Sequence, residues 1–216
     1  CGYEILQTTC PEAMYLYGGE DFIKNFSVEN DFTYGIGPGL GTDYETEEKL
    51  MHFLKNYNEP LVLDADALNL ISKNPENLNL IPKKSIITPH PKEFSRLFGE
   101  SKDSFERLEL AKSKANELNI YIVLKGHHTQ IITPEGNVFY NITGNSGLAK
   151  GGSGDVLLGI ITSFLAQGYS PENAAIFGVW LHGKAADFTA EKHSKEAMLA
   201  SDVIQHIGEV FKFLQK

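Results

Sequence analysis

A glycine-rich segment in the last third of the chain is the pattern best suited to carry out chemistry. Five glycines lie between residues 144 and 154, and this glycine loop (residues 144–155) runs directly into an amphipathic stretch. Glycine tolerates positive φ and lets a ligand approach the backbone closely, and free amides at the start of a helix attract anions. An ordinary turn is the alternative, but it does not explain so many glycines. The segment therefore predicts a phosphate cradle.

Asp155 ends this loop and falls in the first turn of the predicted helix. The alternative is an acidic first-turn residue without a catalytic role, which is common in helices. A carboxylate near a helix N-terminus is stabilised in its charged form, so it is a weak base. Phosphoryl transfer tolerates a weak base, because its loose transition state requires orientation of the attacking hydroxyl more than early deprotonation. We therefore expect Asp155 to orient a substrate hydroxyl and accept its proton.

Polar residues also follow two of the predicted strands. Asp64, Asp66 and Asn69 come just after one strand, and His90 lies between two prolines after the next, with Glu93 a turn later. Ligands in open α/β sheets bind at the carboxyl ends of the strands, and acidic groups there can hold a metal–phosphate complex or a substrate hydroxyl. Capping of the following helix remains an alternative for any single one of these residues.

Two further loops are candidate ligand contacts. Gly35–Gly41 reads GIGPGLG, which lacks the GxGxxG spacing of a dinucleotide fingerprint. It is equally consistent with a tight turn and a ligand loop. Lys125–Thr129 reads KGHHT after another predicted strand and offers donors to a phosphate, although a simple hairpin connection would also explain it.

The segment Gly178–Lys184 has the GxxxxGK form of a P-loop, but we interpret it differently. The next residue is Ala185, so the metal-holding hydroxyl is missing, and the segment lies in a helical apolar run and does not follow a strand. It predicts helix packing.

Composition limits the classes of partner. The chain has 216 residues, 42% of them hydrophobic, and a net charge of −9, which is typical of a folded globular protein. This charge argues against nucleic acid or an anionic membrane as the main partner, and no apolar run approaches the roughly 20 residues of a membrane span. The two cysteines, Cys1 and Cys10, form no disulfide framework, which predicts free thiols in a reducing, cytoplasmic compartment.

Short apolar runs alternate with longer helical patterns. Strand–helix alternation implies a mainly parallel sheet with right-handed crossovers, and continuous apolar strands are covered on both faces. We predict strands at Pro60–Leu63, Ser85–Thr88 and Ile120–Leu124, and a hairpin of Thr129–Thr133 and Asn137–Tyr140. The predicted helices are Thr46–Asn56, Pro91–Phe98, Ser104–Leu118, Asp155–Gln167, Pro171–Glu191 and Ala200–Leu214. We expect one α/β domain over residues 1–216, with helices on both faces of the sheet and a helical C-terminal portion.

Taken together, these segments resemble the ribokinase-like superfamily and, within it, the NAD(P)H-hydrate dehydratase family. The glycine loop alone, with its GGSGD element, marks only the superfamily, whereas its combination with GPGLG, DADALN and TPHPKEF is much more specific. The resemblance extends from residue 35 to about residue 187 and is carried by Gly37–Gly41, Leu63–Asn69, Thr88–Phe94, Lys125–Gly126, Gly144–Asp155 and Leu181–Asp187.

This resemblance implies a hydro-lyase that uses ADP or ATP to phosphorylate the ring hydroxyl of NADHX or NADPHX and then eliminates phosphate to restore NADH or NADPH. The bacterial form of TPHPKEF favours ADP. It implies catalysis by Asp155, hydrate contacts by Gly37, Gly39, Asp66, Asn69, His90 and Asp155, and nucleotide contacts by Lys125, Gly126, His127, His128, Thr129, Asn145, Gly151, Gly152, Ser153 and Gly154. Glu93 falls where the superfamily supports Mg²⁺, but His90 replaces the usual Asn.

The sequence departs from the family pattern in several places. Lys150 stands where relatives often have a small residue, and Ser146 where they often have Pro. We expect the first strand and helix of the domain to lie ahead of Cys1, and the sequence leaves open whether an epimerase domain precedes them. By resemblance we also expect a homo-oligomer.

Two other functions remain as alternatives. The first is a small-molecule kinase of the thiazole or hydroxymethylpyrimidine type, which would release a stable phosphorylated alcohol. The second is a nucleotide-binding sensor without turnover, which the intact Asp155 and glycine loop argue against.

Overall fold

A mostly parallel sheet organises the part of the chain that the computed structural model describes, which is residues 3–16, 18, 29 and 31–215. Within these residues the six strands lie in the order of the sequence. The first four pair in parallel, and the last two extend the sheet as an antiparallel hairpin. The strands are β1 (Gly35–Ile36), β2 (Val62–Leu63), β3 (Ile86–Ile87), β4 (Tyr121–Leu124), β5 (Gln130–Ile132) and β6 (Val138–Tyr140).

The helices confirm the predicted alternation. Three of them, α4, α5 and α8, have the predicted bounds, and α2, α6 and α7 differ by about two residues or fewer at their ends. Two short helices, α1 and α3, were not predicted as elements. The helices are α1 (Tyr3–Thr9), α2 (Tyr44–Asn56), α3 (Ala65–Ile71), α4 (Pro91–Phe98), α5 (Ser104–Leu118), α6 (Ser153–Ala166), α7 (Pro171–His193) and α8 (Ala200–Leu214), with 3₁₀ turns at Pro75–Leu80 and Ser146–Leu148.

Side chains that alternate along the strands build a separate apolar core on each face of the sheet. Leu63 packs in the core formed with α2 to α5, and its neighbour Val62 packs in the core formed with α6 to α8. Each fully buried side chain of this size stabilises the fold by about 2 kcal/mol. The predicted cover of helices on both faces is confirmed.

Two glycines of the P-loop-like segment lie inside α7 and make helix contacts. A Cβ at Gly178 would lie 2.7 Å from the side chain of Ile161, and a Cβ at Gly183 would lie 2.8 Å from the carbonyl oxygen of Thr143. These glycines therefore let α7 approach α6 and the start of the glycine loop. The prediction that this segment serves helix packing is confirmed for these two glycines.

Cys10 is a free, exposed thiol, whereas Cys1 lies outside the described residues. Across the described ranges, none of the helices combines the length and the apolar character needed to cross a membrane.

Candidate active site

The carboxyl ends of β2, β3 and β4 meet at one edge of the sheet and bring three charged residues together. Lys125, directly after β4, donates a hydrogen bond from Nζ to Oδ1 of Asp64, with 2.7 Å between the two atoms. The same ammonium lies 3.7 Å from Oε2 of Glu93. Asp64 follows β2 and is only 1% exposed, so this ion pair lies at the bottom of the site.

Burial raises the pKa of the Asp64 carboxyl above its ordinary value, because desolvation penalises the charged form. The neighbouring Lys125 opposes this rise through its charge and its hydrogen bond, whereas the nearby Glu93 adds to it. Lys125 and, to a smaller extent, a hydrogen bond from the backbone of Ala65 therefore favour a charged carboxylate at this position.

His90 and Glu93 form a reciprocal cap at the start of α4. Nδ1 of His90 accepts from the backbone amides of Lys92 and Glu93, at 3.1 and 3.2 Å, and Oε2 of Glu93 accepts from the amide of His90 at 2.8 Å. Because Nδ1 accepts, the proton of the neutral ring sits on Nε2. Helix capping is thus one role of both residues, and the ring of His90 still borders the larger cavity described below.

Asn145 and Asp187 hold the glycine loop against α7. Nδ2 of Asn145 donates to Oδ1 of Asp187 and to the carbonyl of Ala186, at 3.1 and 3.0 Å, and the amide of Gly144 donates to Oδ2 of Asp187 at 3.0 Å. Oδ1 of Asn145 also accepts from the amide of Gly147 at 3.0 Å. Asn145, predicted as a nucleotide contact, therefore also shapes the loop. Sequence reasoning gave no role to Asp187, although it falls in the last segment that carries the family resemblance.

The first turn of α6 abuts the ion pair. Gly152 begins the helix with φ at 88°, a conformation that favours glycine. A Cβ at Gly154 would lie 3.2 Å from Oδ2 of Asp64 and 3.5 Å from Nζ of Lys125. Any larger side chain at position 154 would fill the space between the N-terminus of α6 and Lys125. The partial positive charge of the helix N-terminus and the charge of the lysine both act on this space.

A cavity of about 680 Å³ lies between the glycine loop, α7 and the end of β4. Most of the predicted nucleotide contacts border it, but His128 and Gly152 do not. The predicted residues that border it are His90, Lys125, Gly126, His127, Thr129, Asn145, Gly151, Ser153 and Gly154. The structure thus brings together residues that the sequence places in three separate segments.

His182, on α7, also borders this cavity and was missed by sequence reasoning. Its side chain is buried, and burial lowers the pKa of the imidazole to about 4, so the ring is neutral at pH 7. Nε2 has no hydrogen-bond partner in the part of the chain that the structure describes. Sequence reasoning gave this histidine no role, although it falls in the Leu181–Asp187 segment that carries the family resemblance.

Four of the six predicted hydrate contacts, which are Gly37, Gly39, Asp66 and Asn69, form a second cluster where β1 and β2 end, whereas His90 and Asp155 each border a cavity elsewhere. Oδ2 of Asp66 accepts from the amide of Gly41 at 3.0 Å, and Oδ1 lies 3.4 Å from Nδ2 of Asn69. Arg96, on α4, donates to Oδ1 of Asn69 at 2.7 Å and had not been singled out in the sequence. These residues do not border the 680 Å³ cavity.

The GPGLG loop lies directly on the DADALN turn. Gly37 has φ at 145°, and a Cβ there would overlap the carbonyl oxygen of Asp64. Gly39, two residues on, has φ at 66° and nothing within 4 Å of an added Cβ. The two loops therefore sit against each other at Gly37 and stay open at Gly39.

Asp155 lies in the first turn of α6, as predicted, and is exposed. It borders a second cavity of about 540 Å³, between α6 and α8, and not the first cavity. Successive residues of a helix point about 100° apart, so Asp155 faces a different side from Ser153 and Gly154. Asp155 therefore borders the second cavity, whereas Ser153 and Gly154, directly before it in the same helical turn, border the first.

No group of three or more His, Cys, Asp or Glu side chains is arranged for a metal ion among the described residues. Mg²⁺ beside a nucleotide usually needs only one or two carboxylates, because phosphates and waters complete its shell. Asp64 and Glu93, which share the ammonium of Lys125, fit that smaller requirement.

Comparison with known proteins shows the family to which the chain belongs. The model of the family described as NAD(P)H-hydrate dehydratase matches residues 4–209. The chain belongs to the NAD(P)H-hydrate dehydratase family. An ADP/ATP-dependent NAD(P)H-hydrate dehydratase from Bacillus subtilis, co-crystallised with ATP/Mg²⁺ and soaked with CoA, has a similar structure, with a TM-score of 0.79 and 33% identity over 97% of this chain and 77% of that one. The predicted ribokinase-like fold is confirmed.

Curated members of the dehydratase family are similar over most of the chain. The ADP-dependent (S)-NAD(P)H-hydrate dehydratase of Neisseria meningitidis is 41% identical over 174 residues, which are 78% of this chain. The bifunctional NAD(P)H-hydrate repair enzyme of Thermofilum pendens is 33% identical over 216 residues, 99% of this chain. The chain spans 59% of the length of the first relative and 41% of the second.

Proposed function

We propose that the protein is a nucleotide-dependent NAD(P)H-hydrate dehydratase, with ADP as the favoured phosphoryl donor. One observation carries this proposal: the N-terminus of α6, the glycine loop and Lys125 converge on a single cavity. Membership of the dehydratase family and the ADP dependence named for the Neisseria relative support the choice of reaction and donor.

The cavity suits a nucleotide in size and in charge. Its volume of about 680 Å³ falls within the usual range for small-molecule sites. Phosphates would bind backbone amides at the N-terminus of α6 and the ammonium of Lys125, since helix N-termini and lysines both stabilise negative charge. Leu157 and Val179, which border the same cavity, offer an apolar surface for the base.

The hydrate would bind at the neighbouring cluster of Gly37, Gly39, Asp66 and Asn69, with His90 at the boundary between the two sites. Its ring hydroxyl attacks the terminal phosphorus of the nucleotide, the P–O bond to the shortened nucleotide breaks, and Asp155 accepts the hydroxyl proton. The phosphate then leaves with the electron pair of the C–O bond, the adjacent ring carbon loses a proton, and the ring double bond is restored.

Mg²⁺ belongs to this proposal as the partner of the nucleotide. Glu93, with Asp64 beside it, would hold the ion together with the phosphates. When bound, Mg²⁺ supplies charge neutralisation at the transferring phosphoryl group. The contribution of the chain itself is the fixed position of its two carboxylates, which the cap at His90 and the ion pair with Lys125 maintain.

Asp155→Asn tests the reaction and the role of the carboxylate together. The parent protein, mixed with NADHX, Mg²⁺ and ADP or ATP, should produce a reduced nicotinamide that absorbs in the near ultraviolet, and inorganic phosphate. The variant should lose roughly a thousandfold in kcat, the range for a positioned acid–base group. Glu191→Gln, which changes an exposed carboxylate on α7, should be as active as the parent.

Each other outcome has a distinct meaning. A stable phosphorylated product without phosphate release would contradict the proposed dehydratase activity and indicate a kinase. Nucleotide binding without turnover of the hydrate would indicate a sensor. An Asp155→Asn variant as fast as the parent would show that the catalytic assignment is wrong.

The proposal also includes a homo-oligomer in the cytoplasm. Light scattering of the purified protein measures its oligomeric state, and fractionation of cells that express the protein measures its location. A monomer at cellular concentration or a membrane-associated pool would contradict these parts of the proposal without affecting the reaction.

A further inference from the structure

The ammonium of Lys150 is bound by three backbone carbonyl oxygens. Nζ lies 2.6 Å from the oxygen of Glu196, 2.8 Å from that of Met198 and 3.5 Å from that of Lys195. A lysine ammonium has three donors and no acceptor, so the three carbonyls match its hydrogen-bonding capacity. We call these three oxygens the carbonyl clamp.

The clamp lies in the connection between α7 and α8 (residues 194–199). This connection and the first residue of α8 pack on the glycine loop at two further points. A Cβ at Gly147 would overlap the sulfur of Met198 and lie 2.7 Å from the carbonyl oxygen of Lys195. At the other end of the loop, a Cβ at Gly152 would lie 3.3 Å from the Cβ of Ala200. Met198 is 1% exposed, so the contact at Gly147 is a packed one.

Lys150 directly precedes the residues whose amides form the proposed phosphate cradle. Its ammonium is bonded to the clamp, although the residue also borders the 680 Å³ cavity. Lys125 already provides a cation at that cavity. The bonded position of Lys150 therefore points to a role in holding the loop, and not to a second phosphate contact.

We propose that Lys150 is a positioning residue that acts as a tethered monovalent cation, joining the glycine loop to the connection between α7 and α8. Carbonyl dipoles that converge on one point repel each other unless a cation sits between them, and rings of carbonyl oxygens are also what binds K⁺ in protein sites. The charge of Lys150 would thus hold the connection in place, and the connection, together with the start of α8, would hold the loop at Gly147 and Gly152.

This inference rests on the proposed nucleotide site, but its test needs no hydrate. Lys150→Ala removes the tethered charge and leaves the carbonyls, so a free cation of similar size should replace it. In Na⁺ or choline buffer, the Kd for ADP with Mg²⁺ should rise about tenfold, the usual effect of losing hydrogen bonds to a charged group. In K⁺ or NH₄⁺ buffer of the same ionic strength, most of that loss should be recovered.

Hydrogen exchange provides a second measurement that needs no ligand. The amides of residues 151–155 should exchange faster in Lys150→Ala than in the parent, and K⁺ or NH₄⁺ should slow them again. The parent should respond equally to all four salts, as should Lys192→Ala, which removes an exposed lysine near the end of α7. A parent that binds ADP but does not convert NADHX would contradict the proposed function and leave this inference standing.

Three results would overturn the inference. In the first, Lys150→Ala binds ADP as well as the parent does in Na⁺, with unchanged hydrogen exchange. In the second, it is weakened equally in all four salts, which would indicate a direct phosphate contact. In the third, it fails to fold even in K⁺ and NH₄⁺, although a free cation should fill the clamp. Lys150→Met, which keeps the apolar stem of the side chain, should show the same salt dependence.

Discussion

Lys125 and Asp64 are 61 residues apart in the sequence, yet Nζ and Oδ1 lie 2.7 Å apart at the edge of the sheet. Their side chains are 22% and 2% exposed, so the pair is largely withdrawn from water. Glu93 approaches the same ammonium to 3.7 Å. One lysine therefore serves two nearly buried carboxylates, and it links the ends of three strands at the point where the first turn of α6 arrives.

Lys125→Met should destabilise the protein by about 3 kcal/mol, because it leaves the Asp64 carboxylate buried without its cation. Asp64→Asn in the same chain should recover part of this loss, since a neutral amide needs no counter-charge. Urea unfolding of the parent, both single variants and the double variant gives the coupling free energy, expected at about 2 kcal/mol.

The pH dependence of Lys125→Met provides an internal check. Burial already raises the pKa of Asp64, and removal of the lysine should raise it further. A carboxyl whose pKa is raised on folding binds protons more tightly in the folded state, so its contribution to stability falls as the pH rises above about 4. The destabilisation by Lys125→Met should therefore be larger at pH 8 than at pH 5. Equal destabilisation at both values would contradict the assigned burial of the charge.

His182 should make the protein acid-sensitive. Burial lowers the pKa of the folded imidazole from 6.5 to about 4. Between pH 6.5 and pH 4, His182 is therefore protonated in the unfolded chain but neutral in the folded chain. Stability should therefore decrease as the pH falls from about 6.5 towards 4, by about 2 kcal/mol at pH 5 from this group. Urea unfolding at pH 7.5 and pH 5 should show a smaller loss for His182→Gln than for the parent. His52→Gln, which changes an exposed histidine on α2, should behave like the parent.

Local patterns were sufficient to predict much of the fold. The bounds of α4, α5 and α8 follow from apolar spacing and from end signals such as Pro91 at the first position of α4. The start of α6 was predicted two residues late, at Asp155 and not at Ser153, because the glycines ahead of it were assigned to the loop. The short helix α3 was missed as an element because it is only seven residues long and begins two residues after the end of β2.

Contacts between distant segments were beyond sequence reasoning. Asp187 holds Gly144 across 43 residues and Lys150 binds the carbonyl of Met198 across 48, and neither pairing has a local signal. That Asp155 borders the second cavity while Ser153 borders the first also has no local signal. His182 reads as one more residue of an apolar helix until its burial is known.

Gly37→Ala should be much more damaging than Gly39→Ala. A Cβ at Gly37 would overlap the carbonyl oxygen of Asp64, whereas a Cβ at Gly39 would meet nothing within 4 Å. Both glycines have positive φ, so both substitutions cost about 1 kcal/mol in backbone strain. The overlap should bring the loss for Gly37→Ala to about 3 kcal/mol, as measured by thermal or urea unfolding. Similar losses for the two variants would show that the loop can move away from the DADALN turn.

Asn69→Ala should weaken binding of the hydrate and leave binding of the nucleotide unchanged. Asn69 lies between Asp66 and Arg96, with its Oδ1 accepting from Nη1 of Arg96 at 2.7 Å and its Nδ2 at 3.4 Å from Oδ1 of Asp66. Removing the amide leaves both neighbours free to turn away, while the cavity of Lys125 is untouched.

We therefore expect KM for NADHX to rise about tenfold in Asn69→Ala, with the Kd for ADP within about a factor of 2 of the parent value. Steady-state kinetics at saturating ADP measures the first, and calorimetry with ADP and Mg²⁺ measures the second. Asn77→Ala, in the 3₁₀ turn that follows α3, is the matched control and should change neither. If Asn69→Ala weakened ADP instead of the hydrate, the two clusters would have to exchange their assigned ligands, because Asn69 lies outside the cavity proposed for the nucleotide.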